Sequence, residues 1–475
     1  MKHKIPNREA RPRVGGAGHG AGRCLGRLLA AVFCAGALLC AQPAGAETLV
    51  DALGRAYLGN PALQAERAKL RALDETVPQA LAGMRPSLSV SASANKDRYV
   101  DHTAHSGYGL NTRTTSVDVT QPLYHGGTIQ AGISAAQNRV LAGRAALLSV
   151  EQATLLSAAT AYLDVVRDQL ELDLVNNYQK ILQNRYEIEK RRLVIGENTK
   201  TDVSQAESRL AQAMSDRLQS EAALRASSSD YARIMGGEPG KLANPEITLE
   251  LPRALDDVME TARLNNPDVV TARYSEMAAR SDVERVDGEL LPSVDAVGKV
   301  SRTWDPSTIS NKLDTASLQL RMTLSIDNGA ISARARGARQ TANQAMMDVE
   351  TAQRAAVDKA VKSWNYLLAT RAQIRSREAM IRSINETLKS LRTEVNIGSR
   401  TVIDLLNSEQ EALSGRLGLL TAKHDEVVWA LNLLAATGRL TAQSLKLPVD
   451  HYDYEKHYQQ VRGKVWGISL AGDSK

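Results

Sequence analysis

The chain switches between two hydrophobic periods. From Thr48 to about Leu81 apolar residues recur at helical spacing (Leu49, Ala52, Leu53, Ala56, Tyr57), with a break at Asn60-Pro61, and Pro86 ends the pattern. The period then becomes two. Leu88, Val90, Ala92 and Ala94 alternate with Ser87, Ser89, Ser91 and Ser93, which predicts a strand with one apolar and one polar face. A polar loop is expected over Lys96–Thr114, and then Val117 and Val119 alternate with Ser116, Asp118 and Thr120 as far as Pro122. A second hairpin is predicted from Val294 to Arg302, a loop through Trp304-Asp305-Pro306, and a strand with Leu318, Leu320, Met322, Leu324 and Ile326 opposite Gln319, Arg321, Thr323 and Ser325.

Each hairpin is followed by 67 residues without proline, Thr128–Val194 and Ala330–Asn396. As helices these are rods of about 100 Å. In the first, Leu156, Leu163 and Leu170 repeat by seven, and after a four-residue stutter Leu174, Ile181, Ile188 and Ile195 do so again. That is coiled-coil packing with a local change of supercoil.

The two halves repeat one another. Ile195–Glu207 returns 202 residues later as Ile397–Glu409, with five of thirteen positions identical. The same offset relates Gly127-Thr128-Ile129 to Gly329-Ala330-Ile331, Tyr162 to Trp364, and Gly236 to Gly438, while an offset of 206 relates Asn60-Pro61 to Asn266-Pro267. Residues 47–240 and 241–440 therefore read as two structural repeats, and 441–475 as a tail lying at mid-height. In each repeat a long helix should lie beside two shorter ones stacked end to end. Gly196 and Gly398 are the expected tip turns, left-handed and followed by a Thr that can cap the returning helix. Pro122, Gly127 and Gly329 mark the strand-to-helix junctions. Gly126-Gly127 is too short for a phosphate loop and reads as a bend.

Charge and cysteine content change the picture only at the start of the chain. Residues 1–27 hold seven Lys/Arg and one acid, Leu28–Ala41 is apolar, and Ala44-Gly45-Ala46 offers a small-x-small cleavage site, so residues 1–46 are expected to be a signal peptide. Cys24, Cys34 and Cys40 all fall within it. A lipoprotein role for Cys40 is disfavoured because Leu39, not a small residue, precedes it. Without the leader the chain has 52 basic and 52 acidic residues, so the basicity that would have suggested nucleic acid disappears. No nucleic-acid partner is expected.

Four short strands with one apolar face, and nothing comparable to pack on it, do not make a soluble core. Apolar residues outward and Ser, Asp, Arg and Gln inward is the alternation of a transmembrane barrel around water. Such barrels need at least about eight strands to close, so four strands per chain demand an oligomer.

Gln121-Pro122-Leu123-Tyr124 at a strand-to-helix junction, Ile195-Gly196 through Thr201-Asp202-Val203, and Ile397-Gly398-Ser399-Arg400-Thr401 through Asp404-Leu405-Leu406 carry a resemblance to the TolC family. It covers residues 47–465. The resemblance implies a mainly α fold with a β-barrel portion: a homotrimeric channel-tunnel whose twelve-stranded transmembrane barrel, four strands per chain, continues into a long coiled-coil α-helical barrel across the periplasm. It places the protein in the outer membrane of a Gram-negative bacterium, in contact with lipid. Its implied partners are an inner-membrane ABC transporter, a periplasmic adaptor and an exported protein. The tail Pro448–Trp466 resembles type I secretion members, in particular those exporting adenylate cyclase-haemolysin, which implies an RTX-type toxin as cargo. The alternative is the outer-membrane factor of a drug or metal efflux pump.

An acid in the first turn of a helix favours the macrodipole by about 0.3 to 1 kcal/mol, which by itself accounts for Asp202 and Asp404. The resemblance implies more. It makes Asp202 and Arg400 a tip lock, with Val395 standing where the family has a tyrosine, and it places Asp404 and Asn407 at the pore constriction, where the family has two aspartates.

No enzyme constellation, metal site or cofactor is expected. His102 and His105, with Asp101, read as a solvated hairpin loop, and His451 and His457 as packing residues of the tail. A coiled-coil structural protein would leave the amphipathic hairpins unexplained, and a passive porin would leave the long rods unexplained.

Overall fold

The computed structural model describes residues 46–103, 105–244, 251–307, 309–467 and 469. Apart from Ala46, the leader with its three cysteines and apolar run lies outside them. Residues 47–475 form one compact unit.

The first apolar run folds as three successive helices, α1 (Leu49–Gly59), α2 (Pro61–Asp74) and α3 (Thr76–Ala82). Thr48 and Asp51 form a reciprocal capping box at the start of α1. The break at Asn60-Pro61 is a second cap, with Asn60 accepting from the Ala62 amide and Pro61 opening α2.

Strands β1 (Ser87–Asp101) and β2 (Ser106–His125) are longer than their apolar alternation suggested. Most of the loop expected over Lys96–Thr114 is paired strand, with Asp97 opposite Leu110 and Tyr99 opposite Tyr108. The ladder is held by backbone groups and there by a stacked Tyr99–Tyr108 pair with ring centroids 5.2 Å apart, so it outlasts the apolar face. His102 and His105 sit exposed in the short turn.

Next come α4 (Thr128–Val194), α5 (Lys200–Met235), α6 (Leu255–Asn265) and α7 (Pro267–Gly288). They are followed by β3 (Ser293–Trp304), β4 (Lys312–Thr323), α8 (Ala330–Asn396), α9 (Val402–Ala436) and α10 (Tyr454–Arg462). Both long helices have 67 residues, matching the proline-free runs. Strand β4 stops at Thr323 instead of reaching Ile326. The chain is diverted there because Asp327 turns back to cap α8, accepting from the amides of Gly329, Ile331 and Ser332 at 2.9, 2.9 and 3.0 Å. Hydrogen bonds from the Ser332 hydroxyl and these amides hold its carboxyl at about 2.

The four strands form one antiparallel sheet in the order β1-β2-β3-β4. Residues directly opposite share a face, so the register sorts the side chains. Leu88 lies opposite Val119, Val90 opposite Val117, Val117 opposite Val300, Val300 opposite Ala316, and Val294 opposite Met322. One face is thus an apolar band across all four strands. The other carries Ser89, Asp118, Lys299 and Ser317 in one row, with the Lys299 ammonium 3.5 Å from Asp118. A bulge at Pro122–Tyr124 shifts the β2–β3 register just before the chain turns into α4.

Helix α4 packs along α2 and α3 toward the sheet and along α5 away from it, while α8 packs along α7, α6 and α9. Where the short helices meet, Glu47 pairs its backbone with Lys241 and Ala243, and the buried Tyr162 hydroxyl lies 2.8 Å from the Glu47 carbonyl and 2.6 Å from that of Ala243. The largest apolar cluster surrounds this level, with Leu53, Tyr57, Leu155, Tyr162, Tyr231 and Leu431 fully buried or nearly so.

The C-terminal tail lies along the first-repeat helices. The Tyr452 amide donates to the Tyr57 hydroxyl at 3.0 Å, and the Arg67 guanidinium sits 4.5 and 5.0 Å from the Tyr57 and Tyr452 ring centroids. His457 meets the buried Asp74 at 2.8 Å, and His451 meets the edge of Tyr57.

At the sheet–helix junction Gly126 and Gly127 both have positive φ, 61° and 82°. A Cβ on Gly126 would lie 2.2 Å from the Gly288 carbonyl oxygen, whereas one on Gly127 would meet nothing within 4 Å. Gly127→Ala should therefore cost only the left-handed strain of about 1–2 kcal/mol. Gly126→Ala should cost a further 1–3 kcal/mol or so from overpacking. Heat dissociation of the assembled protein in mild detergent checks the order: Gly126→Ala should melt well below Gly127→Ala, and Gly127→Ala below wild type.

Candidate functional site: the helical tip

The two turns far from the sheet are built alike. Gly196 and Gly398 have φ of 79° and 77° and end α4 and α8. Thr199 and Thr401 then open α5 and α9 with capping boxes whose third residues are Asp202 and Asp404. The Asp202 carboxylate accepts from the Thr199 amide at 3.1 Å and hydroxyl at 2.6 Å. That of Asp404 accepts from the Thr401 amide at 3.3 Å and hydroxyl at 2.7 Å. The Thr401 hydroxyl and amide, with Arg400 nearby, hold the Asp404 carboxyl below the usual range, so it is ionised at neutral pH.

Both acids are thus engaged locally. Within the chain Arg400 pairs with Glu394, Nε to Oε2 at 3.3 Å, and not with Asp202. Asn407 is exposed and accepts from Arg209 of α5 at 2.9 Å. Val395 is buried among the tip residues.

The hairpins share one core. Tyr178 and Leu182 of α4, Leu210 of α5, Leu388 of α8, and Leu405 and Leu406 of α9 form a single buried cluster. Within it are charges that reading the sequence missed. Glu409 of α9 is 5% exposed, and burial raises its carboxyl pKa against the pull of Arg185 and Arg392; Arg392 stands 3.5 Å away. Glu189 of α4 is wholly buried and accepts from Asn198 of the tip turn. The Tyr178 hydroxyl donates to Gln410 at 2.8 Å, and burial beside Glu409 pushes its pKa to about 12. The available signal was Glu409 at helical spacing inside the stripe Leu405, Leu406, Ala412, Leu413.

Above the tip, His424 of α9 joins α4. Its Nε2 is 3.0 Å from Asp164 and its Nδ1 2.9 Å from Asp425, and Arg167 lies 2.8 Å from both Asp164 and Asp168. Among the described residues no cluster of His, Cys, Asp or Glu could hold a metal ion.

A sheet with one apolar face, rods ending in two matched turns and a shared tip core is also what sequence and structure comparisons return. The sequence matches the family described as Outer membrane efflux protein over residues 52–237 and 258–439. The chain belongs to that family. The outer membrane efflux protein BepC of Brucella suis biovar 1 is 30% identical over 94% of this chain and 97% of its own length. Protein CyaE of Bordetella pertussis is 26% identical over 82% of this chain and 84% of its own. The Campylobacter jejuni CmeC outer membrane channel has the same fold, with a TM-score of 0.75, 14% identity, and coverage of 88% of this chain and 89% of that one. Members of the outer membrane efflux protein family are channels of tripartite pumps or type I secretion, not enzymes, and the chain is an outer-membrane channel protein. The tail's likeness to toxin exporters does not separate it from efflux members, since BepC is at least as similar as CyaE.

Burial disfavours the charged His424 ring, but the flanking Asp164 and Asp425 carboxylates outweigh it and raise its pKa. A raised histidine pKa stabilises the fold fully below the unfolded value of about 6.5, and the contribution is lost as pH rises through the folded value. Melting temperature should therefore fall between about pH 6 and pH 8, and His424→Gln should flatten that slope. Thermal scans of both proteins across the range check it; equal slopes would assign the pH response elsewhere.

Proposed function

We propose that three copies of this chain close a twelve-stranded barrel and a helical tunnel, forming the outer-membrane exit duct of a tripartite assembly with an inner-membrane transporter and a periplasmic adaptor. The observation that carries this reading is the sheet: among the described residues its β1 and β4 edges have no partner strand, and its apolar band spans all four strands. Open edges in hydrocarbon leave backbone groups unsatisfied, which only closure repairs. The cargo proposed first is an RTX-type protein toxin, on the strength of the C-terminal tail. The likeness to an efflux protein supports small-molecule export as the second reading.

Light scattering in mild detergent should give the mass of three chains, and a folded monomer would overturn the architecture. Deletion of the gene separates the cargoes. Loss of one large secreted protein, with drug sensitivity unchanged, is expected for toxin export; the reverse pattern identifies an efflux duct.

In the trimer Asp202 and Arg400 of neighbouring hairpins are proposed to lock the closed tip, and three copies of Asp404 to ring the constriction. Acidic rings favour cations. The contact between Arg209 and Asn407 refines this: Arg209 places a positive charge beside the neutral layer. A unit charge 4 Å away in water is worth about 1 kcal/mol, so each substitution should shift the potassium-to-chloride permeability ratio severalfold. Asp404→Asn should lower it and Arg209→Gln should raise it. Asn407→Asp should do little, because the new carboxylate would pair with Arg209. Reversal potentials in asymmetric KCl check all three, and an unchanged ratio in Asp404→Asn would leave Asp404 with its capping role alone.

A further inference from the structure

The described part of the C-terminal tail reaches the foot of the sheet. Going up from its contacts with Tyr57 and Asp74, Tyr458 packs on Val77, Ala136 and Val140, Val461 is fully buried, and the Arg85 guanidinium donates to the Lys464 carbonyl at 3.2 Å. Arg85 is two residues before β1 begins. The tail thus brings Val465 and Trp466 to the level where strands give way to helices, and leaves them exposed, Trp466 by 86%.

They are not alone at that level. Met84 precedes β1, Leu123 lies at the end of β2, Leu291 precedes β3 and Leu324 follows β4, and each is between 47% and 58% exposed. They lie at the helix-side end of the sheet, next along the chain from the band through Leu88, Val119 and Met322, at the level that Val465 and Trp466 reach. On the proposed trimeric reading, on which this inference rests, three tails inside the tunnel would obstruct the passage, so the tail lies on the outer wall.

An exposed Trp at the end of a lipid-facing band sits where an amphipathic ring is favoured: the boundary between acyl chains and headgroups. Burying a side chain of that size returns about 25 cal/mol for each Å² of apolar surface. We propose that Val465 and Trp466 insert into the inner leaflet of the outer membrane, so that the tail clamps the periplasmic helices to the lipid surface. The partner is phospholipid at its headgroup–acyl boundary. Continuity with the barrel's apolar band selects lipid over a soluble partner.

The test uses the assembled protein in phospholipid nanodiscs with Trp304→Phe, Trp364→Phe and Trp429→Phe, which leave Trp466 as the one tryptophan. Its emission should lie blue of an exposed tryptophan, be quenched by lipid brominated near the headgroup end of the acyl chain more than by lipid brominated near the chain terminus, and resist aqueous acrylamide. Acrylamide quenching without bromolipid quenching would put the ring in water and overturn the proposal. Resistance to both would mean that a neighbouring copy covers it, and would overturn it equally. If the triple substitution does not assemble, the difference spectrum between wild type and Trp466→Ala carries the same readout. Adding Leu88→Trp to a background with Trp466→Phe gives the control. Quenching of that residue with none of Trp466 sinks the tail contact alone, while failure of both sinks the membrane placement of the sheet.

Discussion

Two rows of backbone groups, one along β1 and one along β4, constrain the rest of the molecule. The described residues supply four strands and no partner for the outer two. In water such edges would be an aggregation hazard, and in hydrocarbon each unsatisfied group costs several kcal/mol. Because the apolar side chains occupy one face, closure must turn that face outward. Any closure by identical copies is cyclic, and the helices inherit its symmetry through the four strand–helix junctions. Those junctions are therefore stiff. At one, Gly126 and Gly288 approach too closely for either to carry a Cβ; at another, Asp327 fixes the start of α8 by accepting from three backbone amides of its first turn.

At the opposite end the same logic is reversed. The tip turns are closed by local contacts, a left-handed glycine and a capping box, which need nothing beyond a few neighbouring residues. What joins one hairpin to the other is different in kind: a shared apolar core of Tyr178, Leu182, Leu210, Leu388, Leu405 and Leu406, with Tyr178 bonded to Gln410 and His424 reaching Asp164. Local caps close each hairpin, and a shared apolar core containing partly compensated buried charges joins the two. Buried ion pairs gain little net stability against their desolvation.

Much of this was legible in the residues. The absence of proline fixed the length of both rods, Asn60-Pro61 announced a cap, and period-two alternation located the parts of all four strands that carry the apolar face. Alternation could not locate the outer parts of β1 and β2, because beyond the apolar band polar and apolar side chains no longer alternate by face, and backbone pairing with a stacked Tyr99–Tyr108 pair continues the ladder. Nor could it find Asp327, which acts through backbone amides and leaves no periodic trace. The family resemblance supplied Asp202, Arg400, Asp404 and Asn407 as tip residues. It could not supply the side-chain partners, since Arg400 reaching Glu394 and Asn407 reaching Arg209 depend on rotamers and helix phase. Glu409 was visible as a charge in an apolar stripe, but its burial follows from the packing of α9 against two other long helices.

The duplicated long helices show how one ancestral pattern is used in two environments. Helix α4 packs most extensively along α5 and α7 and also meets α9, α2 and α3, and its buried positions recur along its length, including Ala135, Leu155, Tyr162 and Leu182. Helix α8 has the same length but lies at the margin of the chain. Met346, Met347, Leu368 and Met380 are exposed on it, and its charge is strongly basic, with twelve Lys/Arg against six acids. Helices α6, α7 and α9 beside it are each acidic in balance, and Arg339 with Asp287, Arg371 with Glu426, and Lys423 with Glu378 pair across those contacts. Only part of the α8 charge is answered within the chain. On the trimeric reading the rest of that flank meets a neighbouring copy, where methionine suits a face that must fit another helix without a fixed rotamer. The divergence of α8 from α4 is then the mark of its position: one repeat builds the interior of a chain, and the other builds its border.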